Sequence, residues 1–249
     1  MTEPVVTADG SLTLHSERFN QTYHSIHGAL TESQHVFLDG AGITDRLSAG
    51  NDGKPVQILE VGLGLGVNAL LTAQAATHFG THVDYFGVEF DFQSSDVIKK
   101  VLAQFDAVAV KRFCAMVDQC INTQAGNRKS PALEPHEQLI SQPVSLNDYF
   151  SLKIIPTDLN SALSSSDTFG VQNTIGFDAI YLDAFSPDTN PECWTPEILS
   201  VLANTLIPGG KIATYCAKGS VRRALQQAGL SVTRRKGPPG KRECLAASL

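Results

Sequence analysis

The sequence predicts an α/β protein, a doubly wound and mostly parallel sheet with helices on both faces, and three observations predict it. Short apolar runs alternate with longer helical patterns. A glycine-rich turn follows the first of these runs, and the chain closes on two strand-like segments with no room for a helix between them. Strands apolar along their whole length, each followed by a helix, are those of a parallel sheet covered on both sides.

The elements follow in order. Residues 7–16 alternate apolar and polar side chains around Asp9-Gly10, the pattern of a hairpin. Residues 28–38 carry Leu30, Phe37 and Leu38 on one face of a short helix, and a loop rich in Gly, Asp and Asn occupies 39–53. Residues 1–53 are therefore read as a small N-terminal hairpin/helix extension and 54–249 as the main domain. In that domain the strand-like runs are 56–61, 83–89, 152–156, 177–183 and 211–216. The helical patterns are 67–79, 94–121, 160–163, 195–206 and 220–228. Segments 230–236 and 242–247 flank Gly237-Pro238-Pro239-Gly240 as a terminal antiparallel hairpin. The polar stretch 122–142, with two prolines, reads as a surface insertion. The sum is a Rossmann-like, seven-stranded sheet with one reversed strand. That ending is typical of class I S-adenosylmethionine-dependent methyltransferase folds rather than of dinucleotide-binding dehydrogenases.

Composition excludes several classes. The 249 residues are 42% hydrophobic and 18% charged, the balance of an ordinary globular chain. No apolar run reaches the roughly 18 residues of a membrane span, and the first residues lack a secretory pattern, so a cytoplasmic protein is expected. Cys114, Cys120, Cys193, Cys216 and Cys244 form an odd, scattered set, expected to be core or free thiols. His24, His27 and His35 lie close in sequence without cysteine or regularly spaced carboxylate partners, so no metal site is expected. The net charge of −6 is uneven: residues 211–249 hold nine Lys/Arg against one acid, a net of +8, and residues 1–210 carry −14. Such asymmetry points to a polyanion at one end of the molecule, or to a solvated basic edge.

Ligands of doubly wound sheets bind beyond the carboxyl ends of the strands. The first strand ends in Glu60-Val61-Gly62-Leu63-Gly64-Leu65-Gly66. The spacing is GxGxG, with Val67 where the dinucleotide fingerprint has its third glycine, and no Lys-Ser/Thr follows, which excludes a P-loop. Glycines let the backbone approach a ligand. An acid at Glu60 suits the cationic amino-acid end of S-adenosylmethionine and would repel a pyrophosphate. Glu89 closes the second strand, placed to accept from ribose hydroxyls, and Asp158 follows the third, within reach of adenine. Asp183 ends the fourth strand, where a methyltransferase directs an acid at the methyl group in transfer. Phe185 and Trp194 offer flat walls for a base or a sulfonium. The glycines could instead only tighten a turn, and Trp194 could be a core anchor.

The loop Asp183-x-Phe185-x-Pro187-x-x-Asn190-Pro191-x-x-Trp194 resembles the signature of the MnmC/MnmD family of tRNA wobble-uridine methyltransferases. So do Tyr23-His24-Ser25 with Gly28-Ala29, Glu32 and Val36-Phe37-Leu38, the segment Pro208-Gly209-Gly210 with Ala213-Thr214-Tyr215, the pattern from Val221 to Gly229, and Arg235-Lys236-Gly237 with Lys241-Arg242-Glu243. The resemblance spans most of residues 7–247; the 122–142 insertion and Pro156-Thr157-Asp158 depart from it. It implies methyl transfer from S-adenosylmethionine to the amine of 5-aminomethyl-2-thiouridine in tRNA, by a stand-alone methyltransferase lacking the family's FAD oxidase domain and fed by enzymes that make the aminomethyl group. Asp183 would then orient the amine and take its proton, Tyr23 and Tyr215 would line the pocket, and Arg235, Lys236 and Arg242 would meet the tRNA backbone. A small-molecule N-methyltransferase or aminopropyltransferase is the rival enzyme reading, and a catalytically silent S-adenosylmethionine- or tRNA-binding module the rival from another class.

Overall fold

The computed structural model describes residues 3–127, 142–164, 168–169 and 176–249. The chain opens with two small antiparallel pairs, β1 (Val5–Val6) with β2 (Leu12–Thr13) and β3 (His15–Ser16) with β4 (Gln21–Thr22). Asp9 makes the first turn rigid by accepting from Ser11 Oγ, Thr7 Oγ1 and Thr31 N, and these bonds hold its carboxyl well below the usual range against partial desolvation. Helix α1 (Ala29–Glu32) runs into a wider π-helical turn over Ser33–Leu38, and α2 (Ile43–Ala49) follows.

The sheet has eight strands in the order β11-β12-β10-β9-β5-β6-β8-β7. These are β5 (Val56–Val61), β6 (Val83–Val88), β7 (Val144–Asn147), β8 (Phe150–Ile155), β9 (Phe177–Leu182), β10 (Leu206–Thr214), β11 (Ser231–Lys236) and β12 (Glu243–Ser248). The expected seven are all present, with β12 antiparallel to both β10 and β11. The eighth, β7, is a four-residue edge strand antiparallel to β8 that sequence patterning misses because it is short and follows a polar stretch. The order turns at β5 and β9, and that switch opens a crevice at their carboxyl ends.

The helices are α3 (Val67–Phe79), α4 (Ser95–Val101), α5 (Ala107–Asn127), α6 (Leu159–Ser164), α7 (Pro196–Asn204) and α8 (Gly219–Gln227). The single helix expected over 94–121 is two, because Phe105 turns into the core and Asp106 caps a new helix by accepting from Val108 N and Ala109 N. That second helix runs through Asn127, so the first part of the expected insertion is helical; residues 128–141 lie outside those described. Strand alternation divides the core. Ile58, Tyr85, Leu152 and Tyr181 pack with α3, α5 and the N-terminal Leu14, Phe37 and Leu38, whereas Leu59, Val61, Phe86 and Leu182 pack with α6, α7 and α8. All five cysteines are buried free thiols. Among the described residues no helix is long and apolar enough to cross a membrane.

Candidate active site

A cavity of about 520 Å³ lies beyond the carboxyl ends of β5, β6, β8 and β9. Its floor is the turn after β5. Gly62 has φ +86°, and a Cβ there would lie 2.9 Å from the Asp183 carbonyl oxygen, so the backbones of the β5 and β9 ends touch where a side chain cannot stand. Gly64 donates its N–H to Glu89 Oε2 at 2.9 Å, and Glu89 Oε1 accepts from Phe90 N and Asp91 N. The Glu89 carboxylate lines the cavity at 8% exposure, and burial raises its pKa although three N–H groups oppose the shift.

Glu60 is elsewhere. It is fully buried on the face of β5 that α3 covers, accepting from Asn68 Nδ2 at 2.7 Å and from Tyr85 OH at 2.8 Å, and it does not line the cavity. Asn68 also donates to Asp183 Oδ2 at 2.8 Å, so Glu60 reaches the cavity only through this amide. Burial pushes Glu60 up to about 8 from an ordinary 4.5. The folded chain then holds a proton that the unfolded chain has lost between those values, and the stability this group contributes declines as pH rises from about 4.5 to about 8. Glu60→Gln is expected to flatten that decline, checked by denaturant midpoints across the range; an unchanged slope would place the buried charge elsewhere.

Asp183 follows directly on β9 and lines the cavity. Burial, then Glu60 and Glu32, raise its pKa well above the carboxylate range, opposed by Asn68 and Lys241. The backbone after it is held from two sides: Tyr215 OH donates to Ala184 O at 2.9 Å and Trp194 Nε1 donates to Phe185 O at 2.8 Å. Tyr215 lines the cavity, but Trp194 is 6% exposed and stands behind the wall, so it shapes the loop and offers no face to a ligand. Phe185 faces the cavity, as does Tyr23, whose ring centroid lies 5.1 Å from that of Phe185. Asp158 reaches the rim, exposed, with its carboxylate engaged as the cap of α6 by Ser161 N at 3.0 Å and Ser161 Oγ at 2.7 Å.

Several wall residues had no local signal. The segment from Arg18 to Ser25 crosses the cavity: Arg18 pairs with Asp91 at 3.2 Å, Phe19 stacks on Phe185 at 4.3 Å, and Gln21 Nε2 donates to Ser186 Oγ and Thr189 Oγ1. Lys241 enters from the β11–β12 turn to pair with Glu32. The other C-terminal cations divide. Arg235 donates to His35 O at 3.0 Å and clamps the N-terminal segment, Arg234 pairs with Glu243, and Lys218 pairs with Asp188, whereas Lys236 and Arg242 are exposed. The three histidines serve separate contacts: buried His24 donates its backbone N–H to Thr13 Oγ1, His35 donates to Lys236 O, and exposed His27 lies beside Gly240.

Charge decides what fits. Among the described residues, Glu32, Glu89, Asp91, Asp158, Asp183 and Glu192 line the cavity against Arg18 and Lys241. That excess suits a sulfonium bearing an ammonium and opposes a pyrophosphate. A glycine floor too tight for a Cβ and an acid beside it at Glu89 complete the fit.

Comparison with known proteins agrees. Residues 132–249 match a family model described as S-adenosyl-L-methionine-dependent methyltransferase. The chain is 30% identical over 99% of its length to the tRNA 5-methylaminomethyl-2-thiouridine biosynthesis bifunctional protein MnmC of Cupriavidus necator, and 32% over 98% to that of Cupriavidus metallidurans. It covers 34% and 33% of them, so it spans about a third of the length of the curated relatives it matches. MnmC2 from Aquifex aeolicus superposes over 100% of this chain and 70% of its own, at a TM-score of 0.71 and 25% identity. Over nearly its whole length the chain is similar to these MnmC relatives and to MnmC2. Its fold is the class I methyltransferase fold and its cofactor is S-adenosylmethionine. Gly62, Gly64, Glu89 and Asp183 all line the cavity.

Proposed function

We propose that this chain methylates the primary amine of a 5-aminomethyl-2-thiouridine at the wobble position of tRNA, in the cytoplasm, giving the 5-methylaminomethyl form. The observation that carries the reading is Asp183, a carboxylate at the cavity wall with an aromatic face beside it at Phe185 and Tyr23. The names of the relatives, which concern 5-methylaminomethyl-2-thiouridine biosynthesis in tRNA, support the substrate. Bound S-adenosylmethionine supplies a methyl group on a sulfonium, which the amine nitrogen takes while sulfur keeps the bonding pair. An alkyl ammonium has a pKa of about 10, so the nucleophilic amine is scarce near neutrality. Asp183 binds the ammonium, aims the nitrogen and accepts its proton, and its raised pKa brings it closer to that task. Asn68 holds one of its oxygens, leaving the other for the amine.

Transfer of tritium from labelled S-adenosylmethionine tests this. Incorporation is expected into tRNA bearing the aminomethyl group, and not into polyamines. Preference for polyamines would give the small-molecule reading, and binding without transfer the silent one. The aminomethyl group itself must come from a separate reaction.

Phosphate contact is assigned to the exposed Lys236 and Arg242 of the terminal hairpin, with Arg235 left to its clamp. Changing both to Ser is expected to weaken binding of every tRNA alike and to flatten the salt dependence by roughly 0.7 to 0.9 per lost contact. An unchanged slope would make this edge merely solvated.

A further inference from the structure

A sulfonium and a substrate ammonium are not served by a positive wall, yet Lys241, like Arg18, lines the cavity. The ammonium is deliberately placed. Glu32 Oε1 meets it at 2.5 Å, Glu32 Oε2 is itself fixed by Ser25 N–H at 2.7 Å, and the Tyr215 ring centroid lies 3.9 Å away. Glu32 is 6% exposed and Lys241 31%, so the acid is the buried partner and the ammonium the more accessible one. The pairing also keeps Lys241 from Asp183: the two interact electrostatically, but Asp183 makes no ion pair with it.

We propose that Lys241 is a specificity residue that donates to the ring carbonyl next to the aminomethyl-bearing carbon of the substrate uracil, with Glu32 positioning it. The proposal rests on the tRNA uridine reading above. In a 5-substituted uracil the C4 carbonyl is the immediate neighbour of the substituent. A site that grips the amine with Asp183 therefore needs a donor close beside that carboxylate, and an ammonium has donors to spare after meeting Glu32. Cytosine would present an amino group there, and two donors would face each other. The neighbouring Arg242 is exposed on the same hairpin, so the segment assigned to the tRNA backbone also carries the donor that meets the base.

Two variants of the full chain test it, each with a thermal melt and calorimetry against S-adenosylmethionine. Lys241→Met is expected to bind S-adenosylmethionine and tRNA as the wild type does, with the same salt slope, and to lose roughly 10- to 100-fold in kcat, the effect of one hydrogen bond from a charged donor. Glu32→Gln keeps the volume and the Ser25 contact but frees the ammonium to reach Asp183, so kcat is expected to fall there too. The double variant is expected to be no slower than Lys241→Met alone, since without the ammonium its support has nothing to hold. Weaker S-adenosylmethionine binding by a normally melting Lys241→Met would assign the ammonium to the cofactor's carboxylate, and a flatter salt slope would assign it to a phosphate; either result overturns the proposal. So would wild-type kcat in Glu32→Gln, which remains informative should Lys241→Met unfold. A wild-type chain that methylates no tRNA would instead remove the underlying reading, and the proposal with it.

Discussion

Asp183→Asn is expected to retain S-adenosylmethionine and to lower methyl transfer by at least about 100-fold, the usual scale for a lost acid–base group. The substitution is nearly isosteric. The amide oxygen can still accept from Asn68, and the backbone bonds from Tyr215 and Trp194 to the following residues do not involve the side chain, so the loop keeps its shape. What disappears is the negative charge that balances an ammonium and the site that takes its proton. Single-turnover transfer beside calorimetric binding of S-adenosylmethionine separates the two. Near-normal turnover would mean that another group handles the amine, and loss of cofactor binding would mean that Asp183 serves the cofactor first.

Gly62→Val is expected to act at the earlier step: to weaken cofactor binding, and transfer with it. A Cβ at this position meets backbone, 2.9 Å from the Asp183 oxygen and 3.1 Å from the Ala184 Cα, and neither can rotate away. A φ of +86° adds backbone strain for any β-branched residue. Strain and overpacking cost about 1 to 3 kcal/mol each. Relief comes only by parting the ends of β5 and β9, which misplaces the floor of the cavity and Asp183 together. Affinity for S-adenosylmethionine is expected to fall by at least about 10-fold, using roughly 1.4 kcal/mol of those combined costs, and the melting temperature with it. Wild-type affinity would show that the loop yields without cost and that the glycine is not needed for close approach.

Sequence alone determined the parts that local pattern controls. Each strand of the parallel sheet was legible because a strand buried on both faces must be apolar throughout, and Val56–Val61 and Phe177–Leu182 are buried almost end to end. Acids and glycines at strand ends were legible because the ligand crevice of this topology lies there. Glu89 and Asp183 do reach the cavity.

The tertiary structure decided the rest. Glu60 and Val61 are neighbours in sequence, but alternation sends them to opposite faces. Only packing shows that α3 covers Glu60 through Asn68, while Glu89 and Asp183, farther along the neighbouring strands, lie at the open end where the cavity forms. Trp194 and Phe185 look equivalent as flat side chains, yet one is tied behind the wall by its indole N–H. Arg235 and Arg242 carry the same charge on one hairpin, but β-strand geometry turns the first in to the His35 carbonyl. The pairing of Glu32 with Lys241 joins an N-terminal helix to the last hairpin, and the Arg18–Ser25 segment closes over strand ends far along the chain. No periodicity encodes such meetings, because periodicity states which side of an element is apolar and leaves open which distant element will cover it.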